Sequence, residues 1–426
     1  MMDSVNVVGA GLAGCEAALY LAKSGIAVNL YDMKPGTRST AHSLDSFCEL
    51  VCNNLLCEAE KHTALQLLYC ELWLLGSEVV KIIEQARVKD NVSVAVDKRT
   101  LSRLVTETIC ADDRIHVIEQ EIVDIPDERP TILATGPITG KLLLNSIERR
   151  FPNTIRIMDA NSVVLRFDSI DTSKMERVSE DVFYIHLNDE EYRLFENVLR
   201  NARTSVSHNP ADRLDILHCQ TVEILAQEPG MLARTKCEPM KSGVAATIVL
   251  RKDDKLNNSI VISEFTTRMV KAAQEAIVHS LQGLENAQFV RYGQLHYNTF
   301  VDAPKILNSN YEVIVDSGLY IIGQLAGIDG YLPAVSSAVV AARSIVAQAK
   351  GLEAAPFAPA TMTGALSKYA STPSSSAYKP TVPLFELISP ENETDRIYDE
   401  AIQTMMRSNA AFTPRLCGGR LRSAPG

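Results

Sequence analysis

The chain has 426 residues, 46% hydrophobic and 22% charged, with a formal net charge of −10. That length accommodates two or three domains with a sizeable core, and the acidic balance excludes general attraction to nucleic acid, so any RNA contact has to use a local basic face. No apolar run approaches the roughly 20 residues that span a bilayer, the first apolar segment is too short for a signal peptide, and the nine scattered cysteines fit reduced thiols; a cytoplasmic chain with no membrane contact is expected.

Val5-Asn6-Val7-Val8 reads as a buried parallel strand, and Gly9-Ala10-Gly11-Leu12-Ala13-Gly14 follows it and opens a helix. Gly9 permits the tight turn, Gly11 lets backbone approach a pyrophosphate, and Gly14 lets the helix pack close on the sheet. The helix N-terminal amides then face the phosphates. Eighteen residues beyond Gly14 a second strand ends at Asp32, an acid suited to accept hydrogen bonds from a ribose hydroxyl pair. The βαβ unit predicts a bound dinucleotide and does not by itself choose between FAD and NAD.

The loop 34–42 is polar and turn-rich and is expected near the cofactor. Residues 63–86 repeat apolar positions at three and four, predicting one amphipathic helix with Trp73 in the core. A strand at 93–96 and a helix at 100–110 come next, then an apolar run at 131–137 carrying Ala134-Thr135-Gly136, a turn expected beneath the cofactor. Between 150 and 310 the βαβ rhythm stops. Residues 155–167 and 258–265 read as antiparallel strands and 189–203 and 268–281 as helices, an inserted α+β domain. The rhythm returns at 318–323, where Gly323-Gln324, with Asp329 and Gly330, forms a second glycine turn before a small-residue helix at 335–349. That turn is expected to come back to the dinucleotide. Residues 354–383, rich in Ala, Ser, Thr and Pro, read as a surface segment, 395–407 as a helix, and the chain from 415 onward as frayed. The expected division is 1–150 for the first part of the nucleotide-binding domain, 151–310 for the insertion and 311–426 for the returning part with a C-terminal helix and tail.

Two cysteines have polar neighbours suited to a site: Cys52 in Glu49-Leu50-Val51-Cys52-Asn53-Asn54, and Cys219 in His218-Cys219-Gln220. Local context leaves open whether they are reactive or merely small hydrophobes. Cys48, Cys52 and Cys57 match no zinc spacing, so no metal is expected, while Cys15, Cys70 and Cys110 lie in helical patterns and are expected to be buried. Arg149-Arg150 and Arg251-Lys252 read as solvated faces.

Several stretches together carry a family likeness: residues 9–18, Glu49-Leu50-Val51-Cys52, Ala95-Val96-Asp97, Ala134-Thr135-Gly136-Pro137, the block 283–293, His296 with Asn298, and Gly323-Gln324. From residue 5 to about residue 407 the chain resembles a divergent member of the folate- and FAD-dependent tRNA uracil-5 methyltransferases, small relatives of the longer GidA-type flavoproteins. The resemblance implies a Rossmann-like, glutathione-reductase-like FAD-binding domain with an inserted α+β domain. It implies methylation at C5 of a uridine in the tRNA T-loop, with carbon from methylenetetrahydrofolate and electrons from NADPH or NADH through FAD. A thiolate adding to C6 makes an enolate at C5 that attacks a methylene carried by folate or by reduced flavin; a base takes the C5 proton and hydride completes the methyl group. Cys52 and Cys219 match the family's two site cysteines, with their individual roles unassigned. Arg291, Tyr292 and His296 are candidates to meet folate or RNA. No stable protein partner is implied.

The chain departs from the family at several points. Where the family reads Cys-Ser-Asn-Ser-Leu-Arg, this chain has Cys52-Asn53-Asn54-Leu55-Leu56-Cys57, losing an arginine beside the expected nucleophile. The region 240–250 is short and reads Glu238-Pro239-Met240-Lys241-Ser242-Gly243, Phe265-Thr266-Thr267 replaces a Phe-Gln-Thr, and Pro333 replaces a glutamate. Asp32 and Asp329 stand for glutamates. These departures keep two other readings in view: the same flavin chemistry on a ribosomal RNA uridine, and an FAD-binding relative that has lost catalysis and serves as a binding protein.

Overall fold

The computed structural model describes residues 4–39, 42–51, 54–58, 63–88, 93–159, 162–204, 221–227, 232, 243–254, 259–293, 297–374, 378, 380–381, 383–389 and 394–416. A five-stranded parallel sheet runs in the order Leu319–Ile321, Thr131–Leu133, Val5–Val8, Val28–Asp32, Ile115–Glu119. Val5–Val8 is buried throughout, as a central parallel strand covered by helices on both faces must be. Helix Leu12–Lys23 lies against helix Tyr331–Ala349, and one hydrophobic core joins residues 5–151 to residues 301–405. Because the strands are parallel, the turns after Val8, Leu133 and Ile321 emerge at the same edge of the sheet.

A second core, drawn from residues 163–287, belongs to a six-stranded antiparallel sheet. Its order is Phe289–Arg291, Ser162–Arg166, Ser259–Thr266, Ala246–Asp254, Val182–Leu187, Glu176–Arg177. The chain leaves the nucleotide-binding part along Ile155–Asp159 and returns along Tyr297–Val301, paired with it antiparallel. On the way back the Thr299 amide donates to the Pro137 carbonyl at 2.7 Å, fixing the returning strand beside the turn at Gly136.

Several expectations are corrected. Residues 63–86 form two helices, Ala64–Leu74 and Glu78–Ala86: Gly76 takes φ +78°, and the Ser77 hydroxyl caps the second helix by accepting from Val80 N. Trp73 lies one turn before that break and is 48% exposed rather than in the core. Residues 155–167 hold two strands in different sheets. The supposed surface segment 354–383 contains helix Met362–Ser371, whose Met362, Leu366 and Ala370 enter the main core. Cys110 is exposed, Cys70 half-buried, and Cys15 alone of the three helical cysteines is buried. Tyr331–Ala349 is long and apolar enough to cross a membrane, contrary to expectation, and most of it is buried inside the protein. The C-terminal helix extends to Thr394–Leu416. Strands Ile115–Glu119, Val182–Leu187 and Ala246–Asp254 carry His116, His186, Arg251 and Lys252 among their apolar residues, which hides them from a reading of apolar runs.

Candidate cofactor and active site

Three glycine turns meet at the sheet edge. Gly9 has φ +100°, and a Cβ there would stand 2.7 Å from the Ala134 carbonyl oxygen; at Gly14 a Cβ would stand 1.7 Å from the Gly9 carbonyl oxygen. These two positions close the first turn onto the helix and onto the Ala134-Thr135-Gly136 turn. A Cβ at Gly11 would meet nothing within 4 Å, which leaves open the approach a pyrophosphate needs. Gly323, at φ +65°, lies where a Cβ would come within 3.3 Å of the Ala13 Cβ, so the returning turn abuts the start of the first helix. The Ser337 hydroxyl accepts from Gly323 N at 2.8 Å, and Gln324 Nε2 donates to Asp329 Oδ1 at 2.8 Å. Burial raises the Asp329 carboxyl, opposed by a hydrogen bond from the Gly330 amide. Pro333 sits in the first turn of its helix, where no amide hydrogen is required, so its replacement of an acid leaves the helix start intact.

Asp32 Oδ2 accepts from the Ala10 amide at 2.7 Å and Oδ1 from the Lys34 amide at 2.9 Å. The acid at the end of the second strand therefore braces the glycine turn, and each of its oxygens keeps a lone pair that a ribose hydroxyl could use. The donor set fits a dinucleotide: backbone amides at a helix N-terminus, an acid at the second strand's end, and a glycine turn without a side chain in front of it.

The segment leading to Cys52 is tied to three elements. Cys48 N donates to Ala10 O at 2.9 Å, linking it to the glycine turn, and Phe47 N donates to Thr106 Oγ1 at 2.8 Å on helix Lys98–Ala111. From the inserted sheet, Arg291 Nη1 donates to the Val51 carbonyl at 2.9 Å. The segment from Phe47 to Val51 thus links the glycine turn, that helix and the inserted sheet. Cys52 itself, with Asn53, lies outside the described residues, as do Cys219 and His296. Near Cys219, helix Val222–Leu225 is anchored by Glu223, whose carboxylate accepts from Thr267 Oγ1 at 3.0 Å. Tyr292 stacks on Phe289 with centroids 4.5 Å apart, and its hydroxyl donates to Glu275. Gln274 holds the following turn, accepting from Gly293 N and donating to Gly293 O.

The cysteines close by are not poised to react. Cys15 Sγ donates to Ala10 O at 3.2 Å, and burial pushes the Cys48 thiol up to about 12. Cys57, where the family has an arginine, is a buried strand residue opposite Val94. Among the described residues no group of three or more His, Cys, Asp or Glu could hold a metal. Val51 and Thr106 have no local signature in the sequence, because each acts through a partner far along the chain, and the buried, unpartnered Nη1 of Arg251 has none either.

The parallel sheet with three glycine turns at one edge and an antiparallel insertion defines an FAD-binding α/β fold. In keeping with it, the chain covers 96% of its length against two crystal forms of Aquifex aeolicus GidA, with TM-scores of 0.71 and 0.73 at 16% and 17% identity and coverage of 73% and 76% of those chains. The family pattern described as "Glucose inhibited division protein A" matches residues 4–353. The chain is 35% identical over 395 residues to the Acetivibrio thermocellus protein named methylenetetrahydrofolate–tRNA-(uracil-5-)-methyltransferase TrmFO, covering 89% of this chain and 91% of that one. It is 33% identical over 410 residues to the Thermus thermophilus protein of the same name, covering 91% of each. The chain belongs to the glucose inhibited division protein A family, on the branch of these methyltransferases.

Proposed function

We propose that this chain methylates C5 of a tRNA uridine in the T-loop, taking its carbon from methylenetetrahydrofolate and its reducing electrons from NADPH or NADH. Bound FAD, held by the turns at Gly9–Gly14, Ala134–Gly136 and Gly323–Gln324, supplies hydride chemistry. The observation that carries the reading is the position of Val51, the residue before Cys52, fixed within hydrogen-bonding reach of Arg291 while Cys48 is bonded to Ala10 in the glycine turn. That arrangement holds the segment ending at Val51 beside the glycine turn, which supports the reading. Uracil C5 is a weak nucleophile, so a thiolate adding at C6 is needed to raise electron density at C5, and a base must then remove the C5 proton. Cys52 and Cys219 are assigned to these thiol roles together, without dividing them. A tRNA substrate places the reaction in the cytoplasm.

The test is mass spectrometry of nucleosides from a deletion strain, complemented by parent or Cys52→Ala. The expected result is loss of 5-methyluridine from tRNA, restored by the parent and not by the variant, while purified Cys52→Ala keeps its flavin absorbance. Loss from ribosomal RNA would move the target, and full restoration by Cys52→Ala would overturn the mechanism.

A further inference from the structure

The inserted sheet has two unlike faces. Leu165, Ile260, Leu250 and Phe183 fill its core on one side. On the other, the register places Arg291 opposite Val164, Val164 opposite Val261 and Val261 opposite Arg251, so four strands contribute one row pointing the same way. The two valines in the middle are 4% and 1% exposed, and the arginines stand at either end, their backbones roughly 14 Å apart at about 4.8 Å per strand. Arg251 Nη1 and Arg291 Nε and Nη2 are buried without a hydrogen-bond partner, as is Ser263 Oγ, two residues along from Val261 on the same strand. Helix Lys98–Ala111 rests against strand Ala246–Asp254 and Arg291 reaches Val51, so both end strands of the row border the nucleotide-binding part.

Their lack of carboxylate partners among the described residues is unusual in so acidic a chain. Arg129 and Arg150 pair with Asp316, Arg156 with Asp302, Arg166 with Asp168 and Arg200 with Glu196. Arg251 has no carboxylate partner among the described residues, and Arg291 uses one nitrogen on Val51 and none on an acid. A guanidinium nitrogen shut off from solvent with nothing to bond is costly, and an anion satisfies it with charge-assisted bonds.

We propose that Arg291 and Arg251, with Ser263 between them, bind separate backbone phosphates of the RNA strand that carries the target uridine. This rests on the RNA-methylating reading above. Arg291 touches the residue next to Cys52, which suits a phosphate flanking the reacting nucleotide; Arg251, across the sheet, suits one further along the same strand. A repeating anion matches two separated guanidinium groups, whereas folate carboxylates are gathered at one end of that molecule. The two guanidinium groups supply local positive charge in a chain whose net charge is −10.

The experiment uses the FAD-loaded full chain and an unmodified T-arm RNA hairpin, with binding measured by fluorescence anisotropy over a range of salt. Arg251→Gln and Arg291→Gln each weaken binding several-fold and each reduce the slope of log K against log salt by about 0.7, the contribution of one phosphate contact on a single strand. Arg291→Lys keeps the slope. Flavin absorbance and KM for methylenetetrahydrofolate stay at the parent values. Because Arg291 also holds Val51, Arg251→Gln carries the decisive weight: an unchanged RNA affinity and slope in that variant overturns the proposal. A raised KM for folate with the parent's RNA slope overturns it too and assigns the arginines to folate carboxylates. If the parent neither binds nor methylates the hairpin or a whole tRNA, the methyltransferase reading fails and the phosphate track falls with it; a parent that methylates beside variants that bind RNA normally sinks the phosphate track alone.

Discussion

The buried acids of the nucleotide-binding part and the arginines on the second face of the inserted sheet are treated in opposite ways. In the first, buried acids bond to the protein's own backbone: Glu16 accepts from Ser77 Oγ and from Val79 N at the start of helix Glu78–Ala86, and Glu71 accepts from Met362 N and Thr363 N at the start of helix Met362–Ser371. Asp32 does the same for the glycine turn. In the insertion, the second face of the sheet leaves Arg251, Arg291 and Ser263 with unused bonding capacity. The first pattern makes a rigid frame that presents backbone to a cofactor; the second keeps side chains in reserve for something that arrives. A cofactor that stays bound and a macromolecular substrate that comes and goes call for these two arrangements respectively.

The frame is most sharply tested at Gly14. Its Cβ would fall 1.7 Å from the Gly9 carbonyl oxygen, a backbone atom that cannot move without opening the turn. Gly14→Ala is expected to lose about 4 kcal/mol or more of stability and to retain no FAD, read by denaturant unfolding and visible absorbance. A yellow variant of normal stability would mean that the turn does not hold the cofactor and would erase the contrast between the parts.

A second test titrates the frame's acids. Burial pushes both Glu16 and Glu71 up to about 7 from an ordinary value near 4.5, against the hydrogen bonds that favour their ionised forms. Above pH of about 4.5 the unfolded chain has released protons that the folded chain still holds, so stability declines as pH rises towards 7 and levels off beyond it. Each acid accounts for about 3 kcal/mol across that window. Glu16→Gln keeps an acceptor for Ser77 and Val79 but cannot titrate, so it should flatten the decline by about 1.4 kcal/mol per pH unit. Denaturant melts across the window decide it; a variant with the parent's slope would show that Glu16 is ionised in the folded protein throughout.

What was legible in the residues follows the same contrast. The βαβ unit, the glycine turns and the returning strand at Leu319–Ile321 rest on local pattern and glycine conformations, and dinucleotide binding follows from them, with FAD implied by the family resemblance. Helix Met362–Ser371 was hidden because its small residues look like a linker until Glu71, almost three hundred residues earlier, is seen to cap it. The break at Gly76 leaves no mark on the apolar spacing, which carries across it. Arg251 reads as a solvated face, and only the pairing of four strands, through Val261 and Val164, sets it in a row with Arg291. Local periodicity reports burial; it does not report which distant residue supplies the partner, and partners are what distinguish the two parts.

The smallest expected effect asks whether the parts are also separate in stability. Their hydrophobic cores share no residues, and a two-stranded ribbon joins them. At helix Asp189–Arg200 in the insertion, Asn188 Oδ1 accepts from Glu190 N and Glu191 N, while Glu191 Oε2 accepts from Asn188 N. Asn188→Ala removes half of this reciprocal cap, a loss of about 1 kcal/mol. If the insertion unfolds as its own unit, the earlier part of the far-ultraviolet melt moves down and the temperature of flavin release stays put, because the frame that holds FAD does not use that helix. A matching fall in both would show one cooperative structure, in which the seam occupied by Arg291 and helix Lys98–Ala111 transmits stability between the parts. The seam then has to be firm before RNA arrives, and Arg291→Gln should lower flavin release as well as RNA affinity.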